Sequence, residues 1–276
     1  MNSQEIDLHI HSYYSDGTMS PEEILEKAIK KNLKMMAIAD HNVLEGSKEL
    51  LSISKNKDIK CVPAVEIDTN DNGVNYHILA YNFDIENYEF NQFINKANQE
   101  LGSISTRLIE KMEKDYNEIS LRKYFEYTYP REKGGWKALH YLRENGLTNE
   151  LFEGYKFYGI YGPLYTTAKF PNIEETCKSI HKAGGKAIVA HPGRVLKKLN
   201  IVEFEKEVRR IIALGLDGIE CYYPTHSKEI IEKCKELCNE YKLFSTAGSD
   251  CHGEFEDTVI GENNIENGEI NISFLD

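Results

Sequence analysis

The histidines of this sequence stand where side chains from different strands can meet. Six of the nine histidines lie within or directly after segments that predict β-strands, and three carboxylates occupy similar positions. The carboxyl ends of parallel strands converge on one face of a barrel, so we expect these side chains to lie together. Neutral imidazoles can share cations there, whereas charged ones would repel each other. The set comprises His9, His11, Asp16, His41, Glu66, His77, His191, Asp250 and His252.

This donor set combines imidazole with carboxylate and requires no thiolate. Such ligands suit Zn²⁺, Mn²⁺ or Fe²⁺ rather than Ca²⁺ or a structural zinc held by four cysteines. Nine donors exceed one tetrahedral site, which predicts two or three divalent ions, with Glu66 available to bridge two of them. Taken singly, Glu66 is typical of a solvated strand end and His77 of a buried structural histidine, so the prediction depends on their joint placement. Clustered ions polarise a phosphoryl oxygen, generate hydroxide near neutral pH and hold an in-line displacement.

Strands and helices alternate at both ends of the chain, and this alternation must position the donors. Strands are predicted over 5–11, 33–39, 61–67, 76–81, 186–190, 216–221 and 244–248. Helix starts are marked by capping boxes, Ser20 with Glu23 and Asn172 with Glu175. Repeated strand–helix units imply parallel strands joined by right-handed crossovers. We therefore predict an α/β fold, a distorted (β/α)₇ TIM-like barrel.

The alternation stops in the middle of the chain. Helices are predicted over 91–114, 121–129 and 137–145, and a loop over 159–163. This stretch is polar and rich in aromatic residues, with no strand–helix units. We therefore predict that residues 1–86 and 171–276 form the barrel, and that residues 87–170 form a helical insertion, or cap, domain.

The amino-acid composition argues against some classes of function. The chain has 276 residues, 33 basic and 45 acidic side chains, and a formal net charge of −12. A protein that coats nucleic acid would be basic, so we expect no stable coat role. The N-terminal residues lack a basic leader, no stretch is apolar enough for a membrane span, and the six cysteines form no CxxC motif. These features predict a cytoplasmic protein with reduced thiols and no membrane partner.

Taken in order, the motifs resemble those of the polymerase-and-histidinol-phosphatase (PHP) superfamily of metal-dependent phosphoesterases. Each motif is weak alone, but together they run from Ile6 to Gly253 in the family's order. The family's usual Thr-Asp-His appears here as Ala-Asp-His at positions 39–41. The matching segments are Asp7-Leu8-His9-Ile10-His11-Ser12, Ser15-Asp16-Gly17, Ala39-Asp40-His41, Val65-Glu66, His77, Ala190-His191-Pro192 and Gly248-Ser249-Asp250-Cys251-His252.

The resemblance implies the fold and a three-metal centre. In the family the barrel is a distorted (β/α)₇ barrel, and Asp40 would orient ligands of the centre. Some relatives carry histidine where Asp16 stands, which would alter the metal preference. The implied ligand sets are His9, His11, Glu66 and Asp250 for one ion, Asp16, His41 and His252 for a second, and Glu66, His77 and His191 for a third.

The resemblance is greatest to a subgroup with a helical insertion that acts on nucleotides or RNA 5′ ends. The His-Pro-Gly-Arg segment is typical of it, which makes Arg194 a candidate phosphate contact or, alternatively, a surface ion pair. His226 is a candidate to contact phosphate or protonate the leaving oxygen, or else to cap a helix. Within residues 131–137, where an Arg-Pro-His-type segment would be expected, Trp136 either stacks on a base or packs the insertion onto the barrel. Lys133 and Lys137 are candidate phosphate contacts.

The sequence therefore predicts a metal-dependent phosphoester hydrolase in which hydroxide attacks phosphorus. The expected substrates are nucleoside 3′,5′-bisphosphates, other nucleotides or short oligonucleotides. A phosphatase of a small metabolite such as histidinol phosphate is the alternative within this class. Metal-dependent C–N hydrolysis, as in amidohydrolases, is a second alternative, although a glutamate stands where those enzymes often carry a carbamylated lysine. A non-catalytic metal-binding module is a third, although every ligand position is filled.

Overall fold

The computed structural model describes residues 6–162, 165–263 and 270–275, and it has an α/β architecture. Strands and helices alternate through the first part of the chain and again after the insertion. The strands are β1 (Ile6–Ile10), β2 (Met35–Ile38), β3 (Lys60–Cys61), β4 (Ala64–Asp71), β5 (Val74–Tyr81), β6 (Lys186–Val189), β7 (Gly218–Tyr222) and β8 (Phe244–Ala247). The helices flanking them are α1 (Pro21–Lys30), α2 (Glu45–Ile53), α7 (Ile173–Lys182), α8 (Pro192–Val195), α9 (Ile201–Ile212) and α10 (Lys228–Tyr241).

The strands form two sheets, so a single closed barrel is not what the described residues show. One sheet has the order β1-β2-β3 and the other the order β4-β5-β6-β7-β8. Isolated parallel bridges, Ile10 with Cys251 and His41 with Glu66, connect the two sheets. Both bridges lie at strand ends that carry predicted metal ligands, so the two sheets meet at the site.

Strand β5 departs from the parallel arrangement that repeated strand–helix units imply. This strand pairs antiparallel with both β4 and β6, whereas the pairs β1–β2, β2–β3, β6–β7 and β7–β8 are parallel. The cause is the short connection after β4, where Asn72 and Gly73 adopt positive φ values of 50° and 77°. A tight turn of this kind joins antiparallel neighbours, while parallel strands need a long crossover.

The predicted helix starts are confirmed in detail. Ser20 accepts a hydrogen bond from the backbone N–H of Glu23, whose side chain accepts one from the N–H of Ser20. Asn172 and Glu175 form the same reciprocal pair at the start of α7. Both boxes satisfy N–H groups that the first turn of a helix leaves without partners.

The middle of the chain forms helices with a hydrophobic core of their own. The helices are α3 (Tyr88–Met112), α4 (Leu121–Glu126), α5 (Lys137–Glu144) and α6 (Tyr155–Tyr161). Leu108, Met112, Leu139 and Phe157 are among the buried residues of this core, and Phe255 from the segment after β8 packs into it. The insertion therefore carries its own apolar centre, while Phe90 and Ile94 near the start of α3 are buried in the core that packs against the sheets.

One local prediction in this region is wrong. A loop was expected over 159–163, but α6 continues to Tyr161, and position 163 lies outside the described residues. Tyr158 is buried in the core of the insertion, and Gly162, with a φ of 73°, ends the helix. Burial of aromatic side chains on one helix face outweighs the low helix propensity of Gly159.

Across residues 6–162, 165–263 and 270–275, no helix combines the length and the apolar composition of a membrane span. All six cysteines lie within the described residues, and no disulfide joins any of them.

Candidate metal centre

Strand β1 carries the first two histidines into the interior. All five of its residues are buried, and His9 and His11 have no exposed surface. Successive side chains of a strand point to opposite faces, so the two imidazoles share one face. Leu8 and Ile10 alternate with them and pack into hydrophobic clusters. The packing of these two side chains fixes the register that places both imidazoles at the centre.

Four donor atoms of this centre are spaced as a tetrahedral ion requires. His9 Nε2 lies 3.1 Å from His11 Nε2. Glu66 Oε2 lies 3.4 and 3.3 Å from these two nitrogens, and Asp250 Oδ1 lies 3.4 and 3.1 Å from them. Ligands at about 2.0–2.1 Å from a tetrahedral ion are about 3.3 Å apart. The distances therefore fit a cation between these four atoms.

A second group of donors lies on the other side of the His11 ring. Asp16 Oδ1 lies 3.3 Å from His252 Nε2 and 3.6 Å from His11 Nδ1. The rings of His11 and His252 stack with centroids 4.1 Å apart. His41 completes the group, in which each residue has a donor atom within 4.8 Å of the others. The predicted set of Asp16, His41 and His252 is therefore brought together, with His11 beside it.

Glu66 joins this region to a third group. His77 Nδ1 and His191 Nε2 lie 2.9 and 3.0 Å from Glu66 Oε1. On the other carboxylate oxygen, Oε2, His41 Nδ1 is 3.2 Å away. His41, Glu66 and His77 have donor atoms within 4.8 Å of one another. Glu66 is thus placed to bridge, and His41 neighbours two groups rather than only one.

The polar atoms of the cluster are incompletely hydrogen-bonded within the described part of the chain. Four buried atoms without a hydrogen-bond partner there belong to it. Burying such atoms without partners costs about 1–3 kcal/mol each, so partners are expected. Divalent cations would satisfy these atoms, and the residues present therefore fit metal ions. The atoms are Asp16 Oδ1, His41 Nδ1, Glu66 Oε2 and His191 Nδ1.

In the cluster, neighbouring charged groups shift pKa values in the direction opposite to the effect of burial. Burial alone would raise the pKa of Glu66 and Asp250, but the surrounding imidazoles hold both well below the usual range. Burial alone would likewise lower the pKa of His11, yet hydrogen bonds with Asp250 and Glu66 raise it to about 10. The pKa of His9 is also raised, by Glu220, Glu66 and Asp250 against the effect of burial. In the metal-free protein, protons on imidazole rings therefore offset the negative charge of the carboxylates.

Two carboxylates that the sequence analysis missed hold the ligands in place. Glu220 on β7 has no exposed surface, and its Oε1 lies 3.0 Å from His9 Nδ1. Its other oxygen accepts the backbone N–H of His191. Asp68 on β4 lies 3.4 Å from His77 Nε2, opposite the nitrogen that faces Glu66. Carboxylates behind metal-binding histidines fix the tautomer and orientation of the ring.

Signals for both residues are present in the sequence. Glu220 is a lone carboxylate inside the apolar strand Gly218–Tyr222, and Asp68 follows Glu66 by two residues and so shares its face. The predicted orienting residue Asp40 accepts hydrogen bonds from Ser12 and Ser15. Burial raises the pKa of Asp40 to about 6. Asp40 thus braces the loop after β1 and touches His11 only through Ser15, whose Oγ is 3.4 Å from the ring.

The backbone is strained at two of the predicted ligands. His191 and Asp250 adopt φ values of 27° and 54°, a region that non-glycine residues rarely occupy. Strain of this kind costs about 1–3 kcal/mol and tends to occur at functional sites. Close packing adds a further constraint, because a Cβ at Gly248 would lie 2.2 Å from the Cβ of His9. The segment from Gly248 to Asp250 is therefore shaped to bring its carboxylate to β1.

A cavity of about 250 Å³ opens above the cluster. Seven of the nine predicted ligands line it, all except His9 and His11, and so do Arg194 and Trp136. The insertion also contributes Tyr155, and the segment after β8 contributes Phe255. The Trp136 and His41 ring centroids are 5.9 Å apart. Trp136 also packs against the core of the insertion. Its ring therefore both lines the cavity and packs within the insertion.

Arg194 is bound to the cluster itself. Its guanidinium donates to Asp250 Oδ2 at 2.6 Å and to the Tyr223 hydroxyl at 3.0 Å. The side chain is 43% exposed, so one side of the guanidinium faces the cavity. Arg194 therefore forms an ion pair, as the alternative prediction proposed, but its partner is a buried carboxylate and not a surface one.

Lys133 and Lys137 are not brought to this cavity. Neither residue is among its described lining residues. Lys137 donates to the backbone oxygen of Phe125 and lies 4.7 Å from the ring centroid of Tyr124 within the insertion. Its helical register places it on the face of α5 that packs against α4, away from the centre.

His226 is held by the backbone on both sides of its ring. Its Nδ1 lies 2.9 Å from the carbonyl oxygen of Cys221, and its Nε2 accepts the N–H of Gly193 at 3.1 Å. Burial lowers the pKa of His226 to about 4. The ring is neutral at pH 7 and caps the first turn of α8, so no ring nitrogen remains to face a phosphate. This arrangement corresponds to the helix-cap interpretation.

Comparisons with known proteins agree with this geometry. A 5′-3′ exoribonuclease of Haemophilus influenzae is 27% identical over 260 residues, which cover 91% of this chain and 90% of the relative. A 3′,5′-nucleoside bisphosphate phosphatase of Chromobacterium violaceum is 23% identical over 91% of this chain and 88% of its own.

A solved structure described as a metal-dependent phosphoesterase, from Bifidobacterium adolescentis, is also similar. It superposes with a TM-score of 0.75 at 25% identity, over 94% of this chain and 91% of its own. The PHP domain model matches residues 7–187, which include the predicted ligands from His9 to His77. The chain therefore belongs to the PHP domain family, the phosphoester hydrolases that its motifs resemble.

Proposed function

We propose that this chain hydrolyses phosphoesters of nucleotides, with nucleoside 3′,5′-bisphosphates, other nucleotides and short oligonucleotides as the substrate class. The observation that carries the proposal is the tetrahedral spacing of the donor atoms of His9, His11, Glu66 and Asp250 beneath a cavity with aromatic walls. The exoribonuclease and the bisphosphate phosphatase among its relatives act on substrates of this class.

We assign two to three divalent ions to the cluster. The donor set of imidazoles and carboxylates suits Mn²⁺, Fe²⁺ or Zn²⁺. When bound, such ions polarise phosphoryl oxygens and make a water molecule acidic enough to ionise near neutral pH. The proposed ligand sets are His9, His11, Glu66 and Asp250 for one ion, Asp16, His41 and His252 for the second, and Glu66, His77 and His191 for the third.

Around these ligands, other residues bind and enclose the substrate. Arg194 contributes a fixed positive charge at the edge of the cavity, where its fork of N–H groups can hold phosphate oxygens. Trp136, Tyr155 and Phe255 form apolar walls that exclude water and offer ring faces to a base. Excluding water strengthens the attraction between Arg194 and the negative charge that develops on the phosphoryl oxygens.

His226 and Asp40 act in this proposal as positioning residues. His226 holds the N–H of Gly193 and thereby the turn that carries Arg194. Asp40 holds the loop of Ser12 and Ser15 against the His11 ring. Loss of either residue would displace a neighbouring group by a fraction of an ångström, which is enough to reduce turnover.

The chain is organised around this site as two units. We propose that residues 1–86 and 171–276 act as one distorted (β/α)₇ barrel, and that residues 87–170 act as a cap over its rim. The bridges between Ile10 and Cys251 and between His41 and Glu66 support treating the two sheets as one barrel. The separate core of the insertion supports treating it as a cap.

The test is a turnover assay with added Mn²⁺ and a chelator control for every substrate. The panel contains adenosine 3′,5′-bisphosphate, AMP, a 5′-phosphorylated RNA trinucleotide and histidinol phosphate. Chelator-sensitive hydrolysis of the bisphosphate or the trinucleotide is the expected result. Hydrolysis of histidinol phosphate alone would replace the nucleotide proposal by a metabolite phosphatase. Absence of hydrolysis across the panel in protein shown to bind metal would contradict the proposed substrate class.

A further inference from the structure

A second cavity of about 630 Å³ adjoins the metal cavity, and we call it the side groove. The two cavities share Arg194, Phe255 and Glu256 in their walls. The remaining wall of the side groove includes Phe152 from the insertion and Lys197 from the segment after α8. A ligand seated on the cluster can therefore continue past Arg194 into the side groove.

The aromatic residues of the side groove form a ready stacking surface. Phe152 and Phe255 are stacked with ring centroids 4.9 Å apart and an interplanar angle of 14°. Phe255 is buried, while Phe152 is 52% exposed. The exposed face of Phe152 is open to a ligand that enters the side groove. An exposed ring face of this kind accepts a nucleobase of any sequence.

The charged residues of the side groove place one cation at the shared boundary and a second beyond it. Arg194 lies at the boundary, and Lys197 follows it by three positions along the chain. Lys197 is exposed and forms no ion pair within the described residues, whereas Glu256 lies 3.5 Å from the Arg194 guanidinium. Asp257 also lines the side groove, and its carboxylate repels phosphate. The charges therefore favour a phosphate beside Arg194 and Lys197 over one beside Asp257.

Size supports a ligand that spans both cavities. Sites for molecules of the size of a nucleotide are usually roughly 300–1,000 Å³ in volume. The metal cavity, at about 250 Å³, is smaller than this range, and the side groove, at about 630 Å³, falls within it. The cluster cavity alone suits a phosphate with part of one nucleoside.

We propose that the side groove binds a second nucleotide, so that the preferred substrate is an oligonucleotide whose scissile phosphodiester lies over the metal cluster while the next nucleotide lies in the side groove. This inference rests on the proposed function and narrows its substrate class to linked nucleotides. Hydrolysis adds one water: its oxygen bonds to phosphorus, the bond from phosphorus to one nucleoside oxygen breaks, and that oxygen takes a proton. The next base stacks on Phe152, and its phosphate lies between Arg194 and Lys197.

The test compares two substrates in variants of the side groove. In Phe152→Ala, Phe152→Leu and Lys197→Ala, the KM for a 5′-phosphorylated RNA trinucleotide should rise at least about fivefold. The KM for adenosine 3′,5′-bisphosphate should change less than about twofold, because this molecule has no second nucleotide. Phe125→Ala and Lys198→Ala are the matched controls. Phe125 is an exposed phenylalanine of the insertion, and neither residue lines the side groove.

An unchanged KM for the trinucleotide in Phe152→Leu and Lys197→Ala would overturn the inference. So would an equal rise in KM for both substrates, since that would assign the two residues to the fold or to the metal cavity. Failure of the proposed function is recognised separately, as wild-type protein that hydrolyses neither substrate.

If the wild-type protein hydrolyses neither substrate, a binding measurement tests the side groove instead. The probe is a 5′-phosphorylated, 3′-fluorescein-labelled trinucleotide, and its anisotropy is measured in excess chelator. A dissociation constant at least about fivefold higher in Phe152→Leu than in Phe125→Ala supports the side groove. Equal dissociation constants in the two variants overturn it.

Discussion

The metal cluster and the insertion face each other across one cavity, but they are built from different interactions. In the cluster, buried imidazoles and carboxylates lie 2.9–3.6 Å apart on strand ends and adjoining loops. In the insertion, aromatic side chains belong to a separate apolar core, and Trp136 and Tyr155 among them also line the cavity. Charge in the cluster is costly to bury unless it is compensated, whereas the aromatic walls are stable by themselves. We therefore expect the cluster to determine whether the reaction occurs. We expect the insertion to determine which molecule reacts.

The largest effect should come from removing a ligand of the four-donor group of His9, His11, Glu66 and Asp250. Asp250→Ala removes an oxygen close to His9 and His11 and leaves Arg194 without its partner. Turnover should fall at least about a thousandfold, equivalent to about 4 kcal/mol of transition-state stabilisation. His9→Ala should behave in the same way, with circular dichroism showing a folded protein in both cases.

The matched control for these two variants is His181→Ala. His181 lies on α7, is partly exposed and pairs with Asp217 away from the cavity. Its loss should leave turnover unchanged. Full activity in Asp250→Ala or His9→Ala would remove the cluster from the reaction.

A smaller effect is expected from a residue behind the ligands. Glu220→Gln keeps the size of the side chain but weakens the hydrogen bond that orients His9. Loss of such a partner lowers metal affinity about 10- to 100-fold. Competition with a chromophoric chelator measures this affinity directly. Glu240→Gln, an exposed residue paired with Arg209, is the control, and equal affinities in the two variants would assign Glu220 to packing.

The protonation of the empty cluster predicts a pH dependence of metal binding. Hydrogen bonds with Asp250 and Glu66 raise the pKa of His11 to about 10 against the effect of burial, so this ring carries a proton at pH 7. A metal ion binds only neutral imidazole, so loading must release protons. The association constant should therefore rise about tenfold per pH unit, for each proton released, up to the pKa. Calorimetry in buffers of different ionisation enthalpy counts these protons, and a pH-independent association constant would contradict the prediction.

The smallest effect should come from the insertion, and it should depend on the substrate. Trp136→Ala removes a wall of the cavity beside His41. The KM for AMP should rise about tenfold if a base stacks there, while ribose 5-phosphate, which lacks a base, should be unaffected. Steady-state kinetics on both substrates tests this. Equal losses on both would show that Trp136 serves only to pack the insertion against the sheets.

Much of the centre could be predicted because its residues are tied to local patterns. His9 and His11 alternate with apolar residues on a buried strand, and period-two alternation alone places them on one face. The capping boxes at Ser20 and Asn172 fix helix starts from four residues each. Local rules fail where long-range packing dominates, as with α6, which continues through the region expected to be a loop.

The residues that sequence reasoning missed or misplaced depend on contacts between distant segments. Glu220 supports His9 across a separation of 211 positions, and nothing near Glu220 in the sequence indicates its partner. His226 was a candidate acid, but the carbonyl of Cys221 and the N–H of Gly193 bind both its nitrogens. Lys137 lies on the wrong face of α5 to reach phosphate.

The sequence by itself determined which chemistry this protein carries, because imidazole and carboxylate donors at strand ends point to one class of metal ion and one class of reaction. Only the tertiary structure decided where those donors meet, with Glu66 shared by two groups and His41 beside two. It also decided the carboxylates behind the ligands and the groove beside Arg194. The physical reason is that residue type and spacing fix what a side chain can bind, whereas partners depend on packing between segments far apart in the chain.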